Sequence, residues 1–368
     1  MRAIAAFFGP ALLLLGQTLA HAELSVPRVE GGLTAVYQRE MRDGLGDTGA
    51  SADLFGYLPT RRGEWMLYVE GATGTSANSI FNRYAEINAD AGTALDSQDG
   101  SRVQISELNY RWDLVDERHL TLGQIDPSAH LDRSRIANDE NAHFLGTSFV
   151  NNPTIAFPDY ALGVMYRIDR TATTPEITAI LSGSDGLADN PGRSYQELVD
   201  LTASGKGVFM GLGSRWAIDN TRIGIGGWYR TDDHPVLDDP DTLRHAYGVY
   251  ALYGWLAGNH GVSLRAGAAN ADVSPAAYFL GAAYEGQSKI GAFGLGFGKI
   301  FKSEHMPGAN LGDTLQAETF LRVPIYSTSS HITFAVQYVE NSGFNTSDLA
   351  IDSHALIAAL RLHIWLSK

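Results

Sequence analysis

Apolar residues in this chain recur at every second position far more often than they follow a helical period, and that habit limits it to sheet. From His331 to Tyr338, one face carries Ile332, Phe334, Val336 and Tyr338; the other carries His331, Thr333 and Gln337. From Ala355 to Ile364, Leu356, Ala358, Leu360, Leu362 and Ile364 alternate with a set that includes Arg361 and His363. Between Asp313 and Val323, Leu315, Ala317, Thr319, Leu321 and Val323 oppose Gln316, Glu318 and Arg322. Elsewhere glycine takes the second face: Phe293, Leu295 and Phe297 alternate with Gly294, Gly296 and Gly298. Alternation alone fits two architectures. A soluble sandwich packs its apolar faces together, whereas a membrane barrel turns them to lipid and its polar faces to a lumen.

Connection lengths separate the two. The pattern predicts about sixteen strands, near 31–40, 50–58, 62–71, 102–113, 118–126, 161–169, 175–182, 206–218, 220–231, 245–256, 259–269, 277–286, 292–303, 312–323, 330–340 and 353–366. Only Leu114 to Glu117 separate the fourth and fifth, Asp219 the eighth and ninth, and Ala257 and Gly258 the tenth and eleventh. The alternate connections are mostly longer: 72–101, 127–160, 183–205, 232–244 and 304–311. Short turns at one end, long loops at the other and both chain ends on the short side is the plan of a bacterial outer-membrane barrel. Tyr110, Trp112, Trp216, Trp228, Tyr229, Tyr253, Trp255 and Tyr338 fall near strand ends, where interfacial aromatic girdles belong.

The rest of the chain agrees. The 40 glycines and 16 tyrosines are spread throughout its 368 residues, without a linker or a change of composition. One closed sheet over 23–368 accounts for that, and closure removes the edges that would aggregate. Arg2, the apolar stretch Ala3 to Leu15 and Ala20-His21-Ala22 read as a secretory signal peptide over 1–22, cleaved before Glu23. The stretch is too short to span a bilayer as a helix and contains Pro10. Export without a single cysteine means that disulfides do not stabilise the fold. With 27 Lys and Arg against 41 Asp and Glu, the formal charge of -14 argues against nucleic acid and anionic membrane surfaces as partners.

Two stretches carry a family resemblance. LNYRWDLVDERHLTLGQIDPSAHLD, followed by IANDENAHFLGTSFVNNPTIAFPDYALGVMY, resembles the carbohydrate-selective porin (OprB) family. So does HITFAVQYVENSGF, followed after a short gap by SHALIAALRLHIW, which looks like that family's last hairpin. The resemblance implies a sixteen-stranded outer-membrane barrel that passes sugars or similar small polar solutes by diffusion, with outer-membrane lipid around it and a possible homo-oligomeric state. The chain departs from the family in being short near its N-terminus and in lacking a terminal aromatic, since Leu366, Ser367 and Lys368 follow Trp365.

Loop 127–160 is long enough to be functional, and Phe144, Leu145, Phe149, Ile155, Phe157 and Tyr160 give it apolar anchors. It is expected to fold inward with Phe144, Phe149 and Phe157 against the wall. Asp132, Arg133, Arg135, Asn138, Asp139 and Glu140 would then lie near the solute path. Asp126, Asn151 and Asn152 complete an oxygen-rich set that fits turn chemistry better than a metal site. Along the strands, Arg111, Arg167, Arg215, Arg265, Arg322 and Arg361 fall on polar faces with Glu64, Glu70, Glu107, Glu285 and Glu318. A lipid-facing Arg or Lys at mid-membrane costs roughly 2–4 kcal/mol, so these are expected to line the channel. Singly, each is a residue of a wet wall that pairs with its neighbours. Together, facing rows would set up a transverse field that favours polar solutes.

No catalytic signature competes strongly. The histidines form no H-E-x-x-H, and Ser184 lacks the preceding glycine of a nucleophile elbow. Gly294, Gly296 and Gly298 are followed by no Gly-Lys-Ser/Thr, so no phosphate loop is present. The expected role is therefore a channel without enzymatic activity, cofactor or metal. A barrel enzyme acting on lipid and an export pore for a polysaccharide remain the alternatives.

Overall fold

The computed structural model describes residues 26–75, 79–91, 94–98, 100–190, 192–200, 206–306, 312–327, 329–342 and 354–367. The expected signal peptide lies outside them. The strands are β1 (Arg28–Glu40), β2 (Gly46–Thr60), β3 (Gly63–Ala72), β4 (Arg102–Asp113), β5 (Arg118–Ile125), β6 (Ala161–Ile168), β7 (Glu176–Gly183) and β8 (Val208–Ile218). There follow β9 (Thr221–Val236), β10 (Asp239–Ala257), β11 (His260–Ala269), β12 (Ala276–Gln287), β13 (Ala292–Lys302), β14 (Thr314–Ser327), β15 (Ser330–Glu340) and β16 (His354–Ser367). Each pairs antiparallel with its sequence neighbours, and β1 pairs with β16, Leu33 opposite Ile364 and Tyr37 opposite Leu360. The sheet is a closed sixteen-stranded barrel.

Its polarity is inverted relative to a soluble fold. Phe334 is 55% exposed on the outer face, while its strand neighbours Thr333 and Gln337 are buried inside. Leu356, Leu360 and Leu362 point outward, and Arg361 and His363 are buried. Outward apolar chains need no partner within the chain because hydrocarbon is their solvent. Among the described residues no helix is long and apolar enough to cross a membrane; the strands are the spanning elements.

The start of β1 and the end of β16 lie at the end closed by 61–62, 114–117, 169–175, 219–220, 258–259, 288–291 and the β14–β15 turn. The connections of 73–101, 126–160, 184–207, 303–313 and 341–353 all leave the other end. One expected long loop is not irregular. Most of 232–244 belongs to β9 and β10, which continue to Val236 and from Asp239 with register shifts on the way. Alternation missed this because the hairpin is polar along one edge, where Arg230 grips Asp232 at 2.7 Å and Asp185 at 3.3 Å.

By strand parity seven of the eight expected girdle aromatics face outward, and Trp216 and Tyr253 are exposed on the outer face. Trp228 is the exception. It points inward, 5% exposed, stacked near Phe209. Packing against the loop inside the barrel, rather than lipid headgroups, sets its orientation.

Candidate functional site

The connection 126–160 runs into the barrel and lies against β8 to β16. Asp126 begins it by accepting the Ser128 amide over a short 3-10 turn, Pro127–Ala129. Its apolar side chains then dock in order around the wall. Leu131 packs with Phe209 and Tyr250, and Phe157 lies against that cluster, 6.2 Å from the Phe209 ring. Phe144 and Phe149 meet Phe320 of β14, Phe144 at a ring distance of 5.0 Å in an edge-on arrangement. The glycine face of β13 now has its reason. A Cβ at Gly296 would come within 2.9 Å of both phenylalanine rings, so only glycine admits them. Gly267 of β11 serves the same end for Thr154, which would be 1.9 Å from a Cβ there.

A loop buried in a barrel still has backbone groups to satisfy. Arg265 supplies much of this. It donates to the Phe149 carbonyl at 2.8 Å, the Val150 carbonyl at 3.2 Å and the Asp132 carbonyl at 2.9 Å, and pairs with the Asp132 carboxylate at 2.5 Å. Arg361 donates to the carbonyls of Glu140 and His143. Arg322 donates to the Ala142 carbonyl and pairs with Glu285 at 3.1 Å. The Glu318 carboxylate accepts the amides of Leu145 and Gly146, each at 2.9 Å.

Four sequence expectations are corrected here. Asp132 is buried against Arg265 rather than exposed to the solute path, and Arg265, Arg361 and Glu318 are buried under the loop rather than lining open channel. Strand parity placed them inside correctly. It had no means of showing that the loop's own carbonyls and amides would claim them.

A second connection, 73–101, also turns inward, and the sequence reading had not assigned it that role. Its short helix α1 (Ile80–Arg83) carries Ile80 and Phe81, which with Tyr84 and Ile87 pack on Val339, Ala355 and Ile357 of β15 and β16. Gln38 and Gln337 both donate to the Ile87 carbonyl, at 3.1 and 2.7 Å. The two inserts grip each other: Thr147 donates its amide to the Glu86 carbonyl, and Ala89 donates to Leu145. Four apolar residues in eight positions were the available signal, the same one that marked 127–160.

What remains open is a cavity of about 880 Å³ between the constriction loop and the β2–β4 and β14–β16 walls. Arg133, Arg135, Asn138, Asp139 and Glu140 line it. Asn138 also holds the loop's turn, accepting the Ser134 amide and donating to the Val150 carbonyl. Burial within the barrel, then the charges of Asp90, Asp139 and Asp53, push the Glu140 carboxyl up to about 8. Glu107 lines the cavity as well, accepting from Asn109 at 3.3 Å and from the Asp126 amide at 3.2 Å. The remaining arginines pair nearer the short turns: Arg111 with Asp113 at 3.1 Å, Arg167 with Asp169 at 2.8 Å, and Arg215 with Glu176.

The facing wall carries aromatics that the sequence analysis does not place at the solute path. Phe55 and Tyr68 stack at 4.3 Å with an interplanar angle of 8°. Trp365 lies 5.9 Å from Phe55, and Tyr160 lies 6.2 Å from Tyr68. All four line the cavity, and Asp53 accepts the Tyr68 hydroxyl at 2.7 Å beside them. Parity with Glu70 and Arg361 would have placed Tyr68 and Trp365 inside.

No protein-family model matches the chain, and no curated protein matches it in sequence. Solved structures match it in fold. OprB of Pseudomonas putida, in its high-pH structure, has a TM-score of 0.68 at 12% identity, covering 93% of this chain and 94% of that one. OmpT, an outer membrane protein of Vibrio cholerae, gives 0.54 at 10% identity over 95% of this chain and all of its own. A mutant of the Rh. blastica porin gives 0.54 at 11% identity over 93% and 100%. The fold is that of OprB-like porins, in keeping with the resemblance drawn from the loop and last hairpin.

Proposed function

We propose that this protein is a passive diffusion channel of the bacterial outer membrane, and that sugars or similar small polyols are its solutes. The observation that carries the reading is the aromatic lane Tyr160–Tyr68–Phe55–Trp365 set across the cavity from Arg133, Arg135, Asp139 and Glu140. A sugar ring offers apolar C–H faces to aromatic planes and hydroxyls at its edge to charged donors and acceptors. Contacts of both kinds along a wet path give binding that admits a solute and still releases it. The fold shared with porins, and the two inserts that narrow the lumen without filling it, support a channel over a catalyst.

Liposome swelling with the refolded protein tests this. Small sugars should enter faster than amino acids or organic acids of similar size, and Phe55→Ala with Trp365→Ala should remove most of that preference while conductance persists. Equal rates for all solutes in the wild type would sink the sugar assignment. Lipid cleavage without channel formation would move the protein to the barrel enzymes.

A further inference from the structure

Beneath the constriction loop, toward the end with short turns, the lumen gathers a second set of charges. Strand register brings them together. Thr178 of β7 lies between Arg167 and Gly213, Glu176 pairs with Arg215, and Arg222 lies opposite Ala217, two residues along β8 from Arg215. Gly224 is opposite Arg215, and a Cβ there would meet Leu252 at 2.8 Å and the Arg215 Cγ at 3.2 Å. Arg170 follows in the turn after β6. From the loop above, Arg133 and Arg135 line one crevice together with Arg222 and Asn220.

Beside these six guanidiniums the carboxylates of Asp169, Glu176 and Asp132 are already engaged, by Arg167, Arg215 and Arg265. Among the described residues, Arg133, Arg135, Arg170 and Arg222 form no ion pair. Burial, then the like charges of Arg215, Arg167 and Arg222, hold the Arg133 guanidinium below its usual range, with Glu176 acting the other way. Like charges crowded on low-dielectric walls repel one another and focus a strong positive potential into the space between them. A fold that keeps four uncompensated guanidiniums there has made a place for negative charge.

We propose that Arg133, Arg135, Arg170, Arg215 and Arg222 form an oxyanion-binding station at the short-turn end of the lumen, taking the carboxylate or phosphate of a small sugar acid or sugar phosphate. Guanidinium forks match both groups in geometry and charge. The station is separate from the aromatic lane. Arg170, Arg215 and Arg222 lie outside the main cavity, and Arg133 and Arg135 connect the two. It goes beyond the sugar reading and does not depend on it.

Calorimetry on the full barrel, refolded in neutral detergent at low ionic strength, tests it with inorganic phosphate, glucuronate, glucose 6-phosphate and glucose as probes. The expected result is binding of the anions that fades as salt rises, and about tenfold weaker binding in Arg170→Ser/Arg222→Ser. Glucose entry into liposomes should be the same in that variant as in wild type. Should the double variant fail to refold, Arg135→Ser, altered only on an exposed loop side chain, must show the same weakening. Phosphate and glucose 6-phosphate binding without glucuronate assigns the station to phosphates; glucuronate alone assigns it to sugar acids. No anion binding at low salt, or equal binding by wild type and variants, overturns the proposal. Channel failure would reject the proposed function but leave this measurement readable, since it needs no ion flow.

Discussion

The two halves of the lumen are built from the same alternating strands and put them to opposite uses. Where the loop lies on β8 to β16 the inward face is dry. Glycines make room for loop phenylalanines, and Arg265, Arg361 and Glu318 bind the loop's backbone. Along β2 to β4 the inward face is open, with Asp53, Phe55, Tyr68 and Glu107 at the edge of the cavity. An inward arginine or glutamate thus has no fixed role in such a barrel. If a loop lies over it, it is structural and its loss unfolds something; if water lies over it, it acts on solutes and its loss changes selectivity.

Removing the loop is the most drastic way to break this contrast. Deleting 134–146 takes away Phe144 and the carbonyls held by Arg322 and Arg361. Single-channel conductance should rise markedly and discrimination among sugars by size should flatten. If conductance and selectivity both survive, the filter lies among the strand charges and the two halves are not functionally different.

Single residues on the dry half come next. Arg265→Ala leaves the Asp132 carboxylate buried without its partner, 2% exposed, and breaking a buried pair costs about 3–5 kcal/mol. Denaturant unfolding in lipid should show a loss of that order, with conductance rising as the loop lifts. Arg135→Ala on the open side should shift stability by no more than about 0.5 kcal/mol. Equal losses from the two would erase the distinction. A smaller effect tests the glycine face: Gly296→Leu overpacks Phe144 and Phe149 and should cost about 1–3 kcal/mol. At Gly56, where an added Cβ meets only Leu67 at 3.9 Å, alanine should be nearly silent in the same assay.

The contrast also explains what the sequence could and could not show. Strand positions were legible because lipid and lumen impose a two-residue period; the β9–β10 hairpin above the membrane escaped because that constraint ends there. The constriction loop was legible through its phenylalanines, and Ile80, Phe81, Tyr84 and Ile87 carried the same signal unheeded. Asp132 and Arg265 were both picked out, but their pairing spans 133 positions, and no local pattern reports it. Trp228 shows the remaining limit: an aromatic near a strand end is girdle or lumen according to parity, and nearness to the end gives no parity.

The smallest effect concerns charge on the open side. Glu140 belongs to the loop, yet its carboxyl lies among Asp53, Asp90 and Asp139, with Arg361 held to its backbone carbonyl. Burial and those acids raise it to about 8, so below that pH it is neutral and above it the cavity gains a negative charge. Cation preference, read as the reversal potential in a salt gradient, should therefore increase as pH rises through about 8. Stability runs the other way. A carboxyl that holds its proton more tightly when folded contributes most at low pH, and that contribution falls as pH climbs from the ordinary carboxylate range toward about 8, then levels off. Glu140→Gln should remove both trends while leaving sugar entry at pH 6 close to that of the wild type. A selectivity step near pH 8 that persists in Glu140→Gln would assign the titration to another group, and the open wall would then owe its charge to the strands rather than to the loop.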